Sequence, residues 1–160
     1  MIDTSSAGQG LEGYALLAAQ LEALLSGERD FTANSAQFSA LVFHGLADLN
    51  WAGFYLVKND ELVLRPFQGQ VACVRIPFGR GVCGTAAAAR TTQRVDDVHQ
   101  FDGHIACDSA SNSELVIPLI KAGRLIGVLD LDSPRFARFS VEDQQGIERL
   151  VEILLAASDC

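Results

Sequence analysis

ELVIPLIKAGRLIGVLDLD, residues 114–132, reads as two strands, 114–120 and 125–132, folded back on one another about Ala122 and Gly123. In the second strand Asp130 and Asp132 alternate with Leu129 and Leu131. A strand's side chains alternate between its faces, so the two carboxylates share one face and the two leucines the other. Beyond this hairpin, Ser140 with Asp143 forms a capping box for a last helix carrying Ile147, Leu150, Val151 and Leu154. Before it, residues 51–57, a turn at Lys58, Asn59 and Asp60, residues 61–67 and residues 71–76 read as an antiparallel meander.

Leu11, Tyr14, Leu17, Ala18, Leu21, Leu24 and Leu25 recur at helical spacing before Gly27, and Phe38, Leu41, Val42, Leu46 and Leu49 follow Asn34 as an expected cap. Residues 85–90 are alanine-rich, with room for a short helix. Residues 95–113 lack periodicity, as expected of a lid or binding segment lining a pocket. Helices at both ends with hairpin-linked strands between them predict an α+β domain: an antiparallel sheet with the N- and C-terminal helices packed on one face. The run Gly79, Arg80, Gly81, Val82, Cys83, Gly84 imitates a dinucleotide fingerprint but lacks the βαβ unit that would give it meaning.

At 160 residues and 49% hydrophobic, the chain suits one compact domain, residues 1–160, with residues 1–10 expected to be flexible. The apolar runs 115–120 and 125–131 are too short to span a bilayer, so no membrane partner is expected. Residues 1–10 hold no basic start followed by an apolar run, which predicts a cytoplasmic location. A formal charge of −8 repels phosphate backbones and argues against nucleic acid.

Four cysteines, at 73, 83, 107 and 160, are sparse for a disulfide framework, and the absence of a C-x-x-C pair argues against a zinc knuckle. No metal is expected. Cys107 lies in the irregular polar stretch His104, Ile105, Ala106, Cys107, Asp108, Ser109, where a thiol can be reached by substrate; an ordinary buried thiol is the alternative. Cys73 reads as a mid-strand core cysteine or a resolving thiol. Cys83, beside two glycines at a helix start, has either a thiolate stabilised by unpaired amides or a packing role in a tight turn. Cys160, the final residue, is assigned no site role.

Asp130 and Asp132, with Glu114 heading the paired strand, either solvate a sheet edge or form an acidic cluster suited to an ammonium group, with one carboxyl kept protonated as a donor. Trp51 and Tyr55, four apart in a strand, share a face and could wall such a site or simply pack in the core. His99 is expected to face water, while His104 stands three residues before Cys107 and could tune it.

Across residues 30–150 the chain resembles the free methionine-(R)-sulfoxide reductases, single-domain GAF proteins. The segments that carry the resemblance are Asn50-Trp51-Ala52-Gly53-Phe54-Tyr55, residues 69–84 with their cysteines, Asp102-Gly103-His104-Ile105-Ala106-Cys107-Asp108, Ser113-Glu114, and Gly127-Val128-Leu129-Asp130-Leu131-Asp132-Ser133. The resemblance implies a GAF-like fold with Cys107 as nucleophile, Cys73 as recycling thiol and Cys83 as an accessory. It implies that Glu114, Asp130 and Asp132 surround the sulfoxide and amino group of free methionine sulfoxide while Trp51 and Tyr55 enclose its methyl end. It also implies thioredoxin as external reductant, no metal or organic cofactor, and a homodimer. A non-catalytic GAF sensor and a redox-signalling protein are the rival readings, disfavoured by the absence of an output domain after the last helix.

Overall fold

The structure, a computed structural model, describes residues 10–103 and 110–160. Residues 1–9, expected to be flexible, and His104 and Cys107 lie outside the described residues. Two helices, α1 (Leu11–Leu25) and α2 (Phe31–Gly45), precede β1 (Trp51–Lys58), β2 (Glu61–Gly69) and β3 (Arg75–Pro77). Then follow α3 (Gly81–Ala89), β4 (Gln93–Val95), a short 3-10 turn at Val98–Gln100, β5 (Ser113–Lys121), β6 (Arg124–Ser133) and α4 (Val141–Ala157). The strands form one antiparallel sheet in the order β3-β2-β1-β6-β5-β4.

The predicted hairpin is β5–β6, and both of its turn residues, Ala122 and Gly123, have positive φ. The β1–β2 turn does the same at Asn59 and Asp60, matching the right-handed twist of the strands it joins. Pro118 sits within β5, yet it costs the sheet little because β4 pairs only with residues 114–116 and stops short of it.

Register sorts the side chains between two cores. Ala52, Phe54, Leu115, Ile117, Leu119, Leu129 and Leu131 bury on one face under α1, α2 and α4. The N- and C-terminal helices therefore share one face, as expected. Trp51, Tyr55, Val116 and Val128 point to the opposite face, where α3 covers them with Val82, Cys83, Ala86 and Ala87. This second layer was not legible in the sequence, since a short alanine-rich helix carries no mark of which face it covers.

Two expectations need correcting. Helix α2 begins at Phe31 with Asp30 as its cap, accepting from the Ala33 N–H at 2.8 Å; Asn34 is buried inside the helix, its amide donating to Glu28 O and Ser158 Oγ. The predicted strand 71–76 shrinks to Arg75–Pro77. Trp51 Nε1 donates to Gln70 O at 3.1 Å just before that segment, and within it the Tyr55 hydroxyl donates to Cys73 O at 2.9 Å, so a side chain of β1 holds a carbonyl of the residues left out of the strand. Ser140 and Asp143 form the expected capping box of α4. Among the described residues, no helix is long and apolar enough to cross a membrane.

Candidate active site

The acids come together because of strand register. Glu114 in β5 pairs with Asp132 in β6, Val116 with Asp130, and Trp51 and Gly53 of β1 pair with Asp132 and Asp130 on the other side. Directly paired residues share a face, so all of these side chains project toward α3. There they line a cleft with Tyr55, Val71, Ala72, Ile76, Arg80, Val82, Cys83 and Ser111, enclosing about 530 Å³ of space including its open mouth.

Trp51 and Tyr55 form the aromatic wall, stacked with ring centroids 5.9 Å apart, and Phe67 backs Trp51 at 5.1 Å. Gly53 between them is required by sterics. A Cβ there would lie 2.3 Å from Phe67 Cβ and 2.8 Å from the Trp51 ring. Both aromatics are almost fully buried, and both also hold the 70–74 segment in place through the carbonyl contacts above. One pair of side chains thus shapes the cleft and positions Cys73.

Glu114, Asp130 and Asp132 are all buried. Burial, followed by the charges of Asp130 and Asp132, pushes the Glu114 carboxyl well above its usual range. Burial also raises Asp130, while hydrogen bonds from Glu114 and Cys83 pull it partly back. Two facing carboxyls in this setting retain a shared proton to a higher pH than isolated carboxyls do. Asp130 Oδ1 has no hydrogen-bond partner among the described residues, a costly state for a buried acceptor lining a cleft.

Cys83 occupies the first turn of α3, as expected, but the carboxyls outweigh the helix terminus. Its Sγ lies 3.9 Å from Glu114 Oε1. Burial, then the charges of Asp130, Glu114 and Asp132, raise the thiol well above its ordinary range, so it is a protonated donor rather than a stabilised thiolate. Cys83 Sγ and one oxygen each of Glu114 and Asp130 lie within 4.8 Å of one another. These are metal-ligand types, yet a cation would have to displace the protons that their mutual repulsion retains.

Cys73 lies outside any strand, is half-buried and is disulfide-bonded, which corrects the mid-strand core reading; Cys83 and Cys160 are free thiols. His99 is exposed, as expected, with Nε2 3.0 Å from Asn112 Oδ1. Sequence reasoning missed Arg80 as a cleft residue, while Ser111 belongs to the 95–113 segment expected to line a pocket and does line it. The signal for Arg80 was present: a cation set between Gly79 and Gly81 three residues before Cys83, in the run dismissed as a false nucleotide motif.

A family model described as the GAF domain matches residues 32–157. The chain is 58% identical over 151 residues to the free methionine-R-sulfoxide reductase of Escherichia coli K12, covering 92% of each chain. It is 42% identical over 141 residues to the free methionine-R-sulfoxide reductase of Saccharomyces cerevisiae, covering 83% of this chain and 78% of that one. The X-ray structure of free methionine-R-sulfoxide reductase from Neisseria meningitidis in complex with its substrate superposes with a TM-score of 0.87 at 46% identity, covering 90% of this chain and 87% of that chain.

Proposed function

The chain belongs to the free methionine-R-sulfoxide reductase family of GAF-domain proteins, and on that premise we propose that it reduces the R-sulfoxide of free methionine with a cysteine nucleophile. The observation that carries the proposal is the pair of buried, facing carboxyls Glu114 and Asp130, both raised by burial, in a cleft walled by Trp51 and Tyr55. Sulfoxide reduction by a thiol needs a proton at the departing oxygen, and a neutral buried carboxyl supplies it at a pH where an ordinary one is ionised.

In this mechanism the Cys107 thiolate attacks the sulfoxide sulfur while the shared carboxyl proton passes to the oxygen. Methionine leaves, and Cys107 is oxidised to the sulfenic acid. The Cys73 thiol then condenses with it, expelling water and forming a disulfide, which thioredoxin reduces by thiol–disulfide exchange. The disulfide-bonded state of Cys73, against the free thiols of Cys83 and Cys160, supports this role. Asp130 and Asp132 receive the substrate ammonium, and its positive charge relieves the repulsion that would otherwise disfavour a thiolate beside three acids. The stacked aromatics enclose the methyl end.

The test is turnover of mixed methionine sulfoxide epimers by thioredoxin, its reductase and NADPH. We expect consumption of the R epimer alone, and a fall of at least about a thousandfold in Cys107→Ser, since a nucleophile is being removed. Ligand binding without consumption would favour a sensor, and wild-type turnover by Cys107→Ser would refute the mechanism.

A further inference from the structure

The acids of the cleft account for one end of a zwitterion, and Arg80 brings a cation to the lining of the same cleft. We propose that Arg80 binds the substrate's α-carboxylate and so selects the free amino acid over methionine sulfoxide within a peptide. This rests on the reading of the cleft as a methionine sulfoxide site.

Arg80 is the sole cationic side chain among the described residues lining the cleft, whose other charged members are Glu114, Asp130 and Asp132. Its guanidinium takes part in none of the ion pairs or side-chain hydrogen bonds of the described residues, even though acids line the same space. The backbone holds the residue firmly. Arg80 N donates to Pro77 O at 3.2 Å and its carbonyl accepts from Gly84 N at 3.0 Å, fixing it as the cap of α3.

Other donors nearby are weaker candidates. The first N–H of α3, that of Gly81, already donates to Gly103 O at 3.1 Å. The Ser111 hydroxyl accepts from Asn50 Nδ2 at 3.1 Å and keeps a proton to donate, but it brings no charge. A guanidinium matches a carboxylate in both charge and planar fork geometry. With the acids in the sheet and the cation at the helix cap, the cleft is polarised in the sense that a free α-amino acid requires.

The experiment compares free methionine-R-sulfoxide with its C-terminal amide as substrates of wild-type, Arg80→Lys and Arg80→Gln protein. The amide keeps the ammonium and sulfoxide and removes only the carboxylate charge. Wild-type kcat/KM should favour the free acid by roughly tenfold or more, the value of a charge-assisted contact at a partly solvated site. Arg80→Gln should bring that ratio close to one through KM, and Arg80→Lys should restore part of it, with the melting temperature unchanged in both. An unchanged acid-to-amide ratio in Arg80→Gln overturns the assignment while leaving the reductase reading intact. Wild-type protein inactive on both substrates overturns the reductase reading, and this assignment falls with it.

Discussion

Asp130→Asn separates the chemistry of the cleft from the stability of the fold, because the two should move in opposite directions. Asp130 is 6% exposed, its Oδ1 lacks a partner among the described residues, and it faces the equally buried Glu114. An unsatisfied buried acceptor costs about 1–3 kcal/mol, more when charged. The amide removes the repulsion and offers Glu114 a donor. The ligand-free variant should therefore gain about 1 kcal/mol at pH 8, a rise in Tm of about 2–4 °C for a chain of this size. The gain depends on pH. Because burial raises both carboxyls in the folded state, their contribution to stability is fully present below the ordinary carboxylate range near pH 4 and is lost as pH rises through their raised values. Variant and wild type should thus converge near pH 4 and diverge toward pH 8. Catalysis should fall at the same time. Loss of a charge-assisted contact to the ammonium, about 1.5–3 kcal/mol, lowers kcat/KM roughly ten- to a hundredfold. Thermal melts from pH 4 to 8, with steady-state kinetics at pH 8, read both effects. A variant less stable than wild type at pH 8, or one that keeps wild-type kcat/KM, would refute the account of Asp130.

Gly53→Ala should damage the aromatic wall: with Phe67 Cβ 2.3 Å and the Trp51 ring 2.8 Å from the new methyl, the overpacking costs about 1–3 kcal/mol and should raise KM, measured by chemical denaturation and kinetics. Tyr14→Phe is its counterpart on the opposite face. The Tyr14 hydroxyl donates to Asp143 Oδ1 at 2.6 Å in a buried network with Arg138, so its loss should cost about 1 kcal/mol in denaturant titration and leave kcat/KM unchanged.

The strands, the two hairpin turns and the capping box of the last helix are local features. Alternation in residues 114–132 places Asp130 and Asp132 on one face whatever surrounds them, and Ser140 with Asp143 closes α4 through contacts only three residues apart. The pairing of Glu114 with Asp132 does not follow from the turn alone: run outward from Lys121 and Arg124, the register would set Glu114 opposite Leu131, and a bulge between Leu119 and Ile120 shifts it by one residue onto Asp132. Other features depended on distant partners. Asn34 serves as an interior residue of α2 because Ser158, 124 residues away, meets its amide, while Asp30 takes the cap. The segment around Cys73 is tied instead by distant side chains, with Trp51 donating to Gln70 O and Tyr55 to Cys73 O.

The sequence by itself determined which face of the sheet is acidic and which is apolar, since strand periodicity is a property of consecutive residues. Only the tertiary structure decided that α3 lies over the acidic face, bringing Cys83 against Glu114 and placing Arg80 in the same cleft as carboxyls from β5 and β6. The physical reason is that a carboxyl's proton affinity and a guanidinium's freedom depend on burial and on neighbours remote in the chain, and neither is encoded in the residues beside them.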